Sequence, residues 1–133
     1  MPETGPPPIP ALWRKPDEET RVTSRTGGEK CSKLARHDLI PPVVLQELAE
    51  HYGKGAEKYD DHNWRRGYDW KLSYAALQRH LSQFWAGEDL DLETGTKHVV
   101  AAAWHCFALA EFMDIHPEYD SRLKTVDERA IRG

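Results

Sequence analysis

The segment KHVVAAAWHCFALAEFM, residues 97–113, constrains the fold more than any other part of the chain. Laid on a helix at about 100° per residue, its apolar side chains wrap nearly all the way round, and only His98, His105 and Glu111 interrupt them. Such a helix has no side to give to water and must be enclosed, inside a bundle or against a second subunit. A chain of 133 residues is the size of one ordinary domain. Because a three-helix monomer covers such a helix poorly, a homo-oligomer, dimer or tetramer, is expected.

Two further helices accompany it. From Pro42 to Tyr59 the apolar positions Leu45, Leu48, Ala49, Tyr52, Ala56 and Tyr59 recur at steps of three and four, with Pro41 and Pro42 suited to a helix start. YAALQRHLSQFWA carries a Leu77, Leu81, Phe84 stripe, with Ser73 expected as its N-cap and Gly87 as its stop. Thr94 or Thr96 is expected to cap the apolar third helix. A strand fits only around Arg21 to Ser24. The expected fold is all-α. Six of the nine prolines fall in the first sixteen residues, which predicts a flexible arm over residues 1–20. The working domain then spans 21–116, and 117–133 is a charged tail with at best a short helix after Thr125.

Charge and cysteine usage narrow the class. Eighteen Lys plus Arg against 22 Asp plus Glu leave a net charge of −4, so no broad footprint for nucleic acid is expected and any phosphate must be held locally. Cys31 and Cys106 stand far apart, and no signal segment or long apolar run accompanies them, which points to free thiols, a cytoplasmic location and no membrane association.

The residues able to carry chemistry come in three groups. Glu47 and Glu50 form an E-x-x-E pair whose carboxylates can share a divalent cation, although for the pair taken alone a solvated face with a Glu50–Lys54 pair is the simpler explanation. GEDLDLETGTKH, residues 87–98, crowds Glu88, Asp89, Asp91 and Glu93 between two helices. It cannot be an EF-hand, because Thr94 and Val100 stand where the turn glycine and bidentate glutamate belong; the cluster must be either hydrated or metal-bound. TGGEKCSKLAR offers Gly27 and Gly28 and then Lys30, Lys33 and Arg36 at three-residue spacing, suited to polyphosphate, though it is no Walker A loop and could be a flexible loop only. The loop aromatics Trp64, Tyr68 and Trp70 could stack a base. His98 and His105 lie about 10 Å apart along a helix, too far to share one metal, and His80 beside an apolar stripe reads as a core residue or a substrate contact. His37-Asp38 has no upstream histidine to complete a phosphohydrolase HD site.

The blocks RVTSRTGGEKCSKLARHDLIPP, GAEKYDDHNWRRGYDW, SYAALQRHLSQFWAGEDLDLETGTKH and AAAWHCFALAEF closely resemble the phage dATP/dGTP diphosphohydrolases of the MazZ type, relatives of the all-α MazG-like nucleoside triphosphate pyrophosphohydrolases. The resemblance covers about residues 21–113. It implies a MazG-like helical bundle that cleaves purine deoxynucleoside triphosphates between the α- and β-phosphates, supplying dGMP for 2-aminoadenine nucleotide synthesis in a phage. It extends over Lys30, Lys33, Arg36, Lys58, Tyr59, Asn63, Trp64, Arg79, His80, Glu88, Asp91 and His98. The chain departs from the MazG pattern where E-x-x-D belongs, reading His98-Val-Val-Ala101 there. Joined to the residue reading, the expected metal set is Glu47, Glu50, Glu88, Asp89 and Asp91 around Mg²⁺, with Mn²⁺ as a substitute. Glu88, Asp91, His80 and His98 are the expected catalytic residues, and Lys30, Lys33, Arg36, Lys58, Asn63, Trp64 and Arg79 the substrate contacts. A non-enzymatic helical accessory protein and an HD-type triphosphohydrolase are the alternatives.

Overall fold

The computed structural model describes residues 20–124, which divide between Pro41 and Pro42 into two units. In the first, Thr20–Thr23 (β1) pairs antiparallel with Glu29–Ser32 (β2), Val22 opposite Lys30. The turn is closed by the Gly27 N–H on the Ser24 carbonyl at 3.1 Å, and the Gly27 φ of 85° is one that a residue with a Cβ rarely adopts. The expected strand is therefore present. Its partner is the segment read as a flexible glycine-lysine loop: a two-stranded ribbon needs only the turn glycine and a few extended residues, and this one has little apolar alternation to announce it.

The second unit is helical: Pro42–Lys58 (α1), Trp70–Trp85 (α2) and His98–Ile115 (α3), with short 3-10 turns at Asn63–Arg66 and Pro117–Tyr119. The fold class is all-α, as the periodicity requires. α3 packs against both α1 and α2, most extensively against α2. It can do so because Ala101, Ala102 and Ala108 are buried small residues that let backbones approach, while Val100 and Phe112 fill the space between. Phe112, fully buried, meets Trp64 and Tyr68 with ring centroids 5.9 and 5.0 Å away, and beside it Tyr52 is tilted against Trp64 and Trp104, which meet each other edge-on. No helix among the described residues is long and apolar enough to cross a membrane.

Neither expected hydroxyl cap is a cap. α2 begins three residues before Ser73, which is buried with its Oγ 2.7 Å from the Tyr68 hydroxyl and 3.0 Å from His105 Nδ1. α3 begins after Lys97, and the buried Thr96 hydroxyl instead meets His51 Nδ1 at 3.0 Å and Lys54 Nζ at 3.2 Å. Tertiary partners compete successfully for these hydroxyls because each lies where two elements meet. The expected enclosure of the apolar helix is partial: Phe107, Met113 and Ile115 of α3, and Val43, Val44 and Leu45 of α1, remain exposed. The arm before Thr20 and the helix expected after Thr125 lie outside the described residues.

The link between α1 and α2 is clamped onto the end of α3. Gly67 has φ 91°, and a Cβ there would come within 2.6 Å of the Tyr119 ring and 2.8 Å of the His116 ring. His116 cannot retreat freely, since its Nδ1 is 2.8 Å from the Glu118 carboxylate, its Nε2 2.7 Å from the Arg65 carbonyl, and its own carbonyl accepts from Trp70 Nε1 at 3.1 Å. Gly67→Ala should therefore lower unfolding free energy by about 2 kcal/mol or more. Urea denaturation followed by far-UV circular dichroism checks this, and an unchanged midpoint would show that the clamp yields.

Candidate active site

Glu47, His51, Lys54 and Lys58 fall at steps of four, three and four and so share one stripe of α1. That stripe is turned to the loop joining α2 and α3. Glu47 pairs with Lys97 at 3.1 Å, Lys54 donates to the Thr94 carbonyl at 2.7 Å, and Lys58 lies 3.8 Å from Glu93. The loop itself is tied by its backbone. Leu90 bridges Lys97, the Asp91 N–H donates to the Thr96 carbonyl at 2.8 Å, and the His98 N–H donates to the Asp89 carbonyl at 2.9 Å. Gly87 and Gly95 take the positive φ values, 104° and 74°, that let it double back. The acidic run thus takes a third course beside hydration or metal: the chain's own cations and backbone hold part of it in shape.

Behind the loop lies a chain of histidines. His98, wholly buried, has its Nδ1 2.9 Å from Nδ1 of the buried His80, and its Nε2 3.6 Å from a Glu88 carboxylate oxygen. The His80 ring stacks on His105 at 6.0 Å, and His105 continues to Ser73 and Tyr68. Burial, reinforced by the neighbouring Arg79, pushes His80 below the usual histidine range. His105 is lowered to about 4, chiefly by burial and then by His80, His51 and Arg79. Burial works to raise Asp91, but the Thr94 hydroxyl, which donates to it at 3.0 Å, and the Glu93 backbone hold it below the ordinary carboxylate value.

In front of the histidines opens a cavity of about 790 Å³, within the range of small-molecule sites. Four cations, Lys54, Lys58, Arg66 and Arg79, line it against three carboxylates, Asp60, Asp91 and Glu93; Tyr59, Trp64, Tyr68 and Trp104 supply aromatic wall, and Asn63, His80 and His105 polar atoms. An excess of positive groups within a net-acidic chain, beside aromatic rings, suits a ligand that is anionic at one end and flat at the other.

The sequence model of the family described as dATP/dGTP diphosphohydrolase, N-terminal, matches residues 24–122, about three quarters of the chain. The chain belongs to the dATP/dGTP diphosphohydrolase family. It is accordingly a hydrolase acting on nucleoside triphosphates, and the non-enzymatic reading is set aside. Neither the curated proteins nor the solved structures give a significant match.

In this diphosphohydrolase the residues expected from sequence separate into three places. Lys58, Asn63, Trp64, Arg79, His80 and Asp91 line the cavity together. His98 and Glu88 stand behind His80. Lys30, Lys33 and Arg36 belong to the hairpin unit, where Arg36 forks the Asp38 carboxylate at 2.8 and 2.7 Å. The five expected metal carboxylates are not gathered. Glu47 is paired with Lys97, Glu50 and Asp89 are exposed, and no group of three or more His, Cys, Asp or Glu able to hold a metal ion occurs among the described residues. His51, Lys54, Arg66, Trp104 and His105 were not anticipated as cavity residues. The spacing of His51, Lys54 and Lys58 was the available signal, hidden because Lys54 also makes sense as the partner of Glu50.

The buried His105 ties stability to pH. Its folded value of about 4 lies below the unfolded value near 6.5, so the unfolded chain binds the proton first. Its contribution is complete above pH 6.5 and is lost as pH falls from there through about 4. The urea midpoint should drop between pH 7.5 and 5, and His105→Gln should show a smaller drop than the parent protein. An equal drop in both would remove His105 as the cause.

Proposed function

We propose that the cavity of about 790 Å³ binds dGTP or dATP and that the protein hydrolyses the bond between the α- and β-phosphates, releasing the deoxynucleoside monophosphate and pyrophosphate. The observation that carries this is the grouping, on one cavity wall set, of Lys54, Lys58 and Arg79 with Asn63, Trp64, Asp91 and His80. Lys58 and Arg79 neutralise the triphosphate, whose leaving pyrophosphate gains charge in the transition state. Lys54, already fixed by the Thr94 carbonyl, adds charge without first having to be ordered. Trp64 and Asn63 contact base or sugar. For Lys30, Lys33 and Arg36 a phosphate-binding role rests on the resemblance alone.

Magnesium fits this donor set in one way. Mg²⁺ is commonly held by one or two carboxylates plus substrate phosphates, and Asp91 and Glu93 are carboxylates of the cavity wall. Asp91 is the preferred ligand, since the Thr94 hydroxyl fixes one of its oxygens and favours its ionised form. Glu47, Glu50 and Asp89 are then surface and loop-tethering groups. Bound there, the ion, Mg²⁺ or Mn²⁺, supplies charge neutralisation at the phosphate oxygens and acidifies the attacking water.

The finer assignments follow from the resemblance and the surface. The product dGMP feeds 2-aminoadenine nucleotide synthesis in a phage-infected cytoplasm. The exposed apolar residues of α1 and α3 support a MazG-like bundle completed by a second copy of the chain. With a net charge of −4 and a cavity where four cations face three carboxylates, the protein is a nucleotide enzyme rather than a nucleic-acid binder. The test is to incubate it with each dNTP and Mg²⁺ and separate the products by ion exchange. Monophosphate and pyrophosphate should form from dGTP and dATP, cease with excess EDTA and resume with Mg²⁺. Nucleoside plus triphosphate, or turnover unaffected by EDTA, would contradict the reading.

A further inference from the structure

Four observations around His80 belong together and are not used by the assignment of nucleotide and metal contacts. His98 is wholly buried, its Nδ1 is 2.9 Å from His80 Nδ1, its Nε2 has no hydrogen-bond partner among the described residues, and the group nearest that nitrogen in charge is Glu88, 3.6 Å away. Two facing Nδ1 atoms at hydrogen-bond distance need one proton between them, so one ring donates and the other accepts. In a neutral ring the acceptor carries its proton on the other nitrogen. The arrangement therefore has two states. In one, His98 turns a bare nitrogen toward the Glu88 carboxylate and His80 offers an N–H to the cavity. In the other, His98 turns Nε2–H toward Glu88, accepts from His80 Nδ1–H, and leaves His80 Nε2 as a lone pair.

The carboxylate decides between them. At 3.6 Å it is beyond a direct hydrogen bond, but a lone pair aimed at an anion is repelled while an N–H aimed at it is attracted; the Glu88 side chain is 37% exposed, and the difference persists because the His98 ring on the other side is wholly buried. We propose that Glu88 and His98 are positioning residues that hold His80 in its Nδ1–H tautomer, so that His80 Nε2 acts as the hydrogen-bond acceptor and base for the attacking water in the cavity. His80 forms part of the cavity wall, and with Nδ1 engaged by His98, Nε2 is the ring nitrogen left for it. A base must also be neutral before it acts, and burial, with Arg79 beside it and against the opposing pull of Asp91, favours the uncharged His80 ring.

This rests on the proposed cleavage at the α-phosphorus. The bond formed is water oxygen to α-phosphorus, the bond broken joins that phosphorus to the oxygen leading to the β-phosphate, the electron pair leaves on pyrophosphate, and the water proton ends on His80 Nε2. The relay also explains why an acidic loop and a buried histidine are joined by backbone: the His98 N–H on the Asp89 carbonyl, at 2.9 Å, holds ring and carboxylate in one rigid corner.

The test reads the tautomers directly. Nitrogen-15 long-range correlation spectra of the full, nucleotide-free protein at pH 7.5 should show His98 protonated at Nε2 and His80 at Nδ1, whether or not any substrate is turned over. The Glu88→Gln variant removes the charge that biases the pair, so its spectra should show both His80 tautomers, and its kcat for dGTP should fall in proportion to the Nδ1–H fraction that remains, about twofold where the two are equally populated and further where the other dominates, with KM little changed. His80 protonated at Nε2 in the parent protein would overturn the relay even if dGTP is cleaved to dGMP and pyrophosphate. Parent-like kcat in Glu88→Gln would overturn it too. Expected tautomers in a protein that yields other products would leave the orientation standing and overturn the base role together with the cleavage reading.

Discussion

The seating of His98 at the first position of α3 holds the helical unit and its cavity together. Its backbone N–H is bound by the loop carbonyl of Asp89, its ring is enclosed, and one ring nitrogen reaches α2 through His80. Loop, α2 and α3 are therefore joined at one residue. A buried polar ring is costly unless satisfied, and the arrangement here satisfies Nδ1 with a neighbour and places Nε2 against a carboxylate. The same junction orders the rear wall of the cavity, while the α1 stripe of Glu47, His51, Lys54 and Lys58 secures the loop from the other side.

The relation of cavity to core follows from this. α3 is too apolar to present a charged face of its own, and its alanines draw α2 close. The charged groups that line the cavity come from the edges of the bundle: Lys54 and Lys58 from α1, Arg66 from the 3-10 turn Asn63–Arg66, Arg79 from α2, and Asp60, Asp91 and Glu93 from the connecting loops. A rigid apolar scaffold with charged groups at its rim keeps water-loving side chains ordered without burying them unpaired.

Much of this was legible in the residues. The three helices follow from period and punctuation: the expected start of α1 at Pro42 and the stop of α2 before Gly87 agree with the structure. Seven cavity residues, Lys58, Tyr59, Asn63, Trp64, Arg79, His80 and Asp91, were named from the sequence blocks. What the sequence hid has physical reasons. Ser73 and Thr96 look like caps in one dimension, and only tertiary packing offers them Tyr68, His105 and His51 as better partners. The carboxylates of residues 87–93 suggest one metal centre because they are close in sequence, yet a loop that doubles back sends Glu88 toward His98, leaves Asp91 in the cavity and exposes Asp89. Proximity along a chain sets charge density, and the path of the backbone sets where each charge points.

In the proposed reaction, water attacks the α-phosphorus of a nucleotide bound in the cavity, with His80 receiving its proton. Turnover of dGTP in ¹⁸O-enriched water, with the products resolved by mass spectrometry, measures the point of attack directly. The label should enter dGMP once per molecule and be absent from pyrophosphate. Label in pyrophosphate with unlabelled dGMP would place the attack at the β-phosphorus and contradict the account.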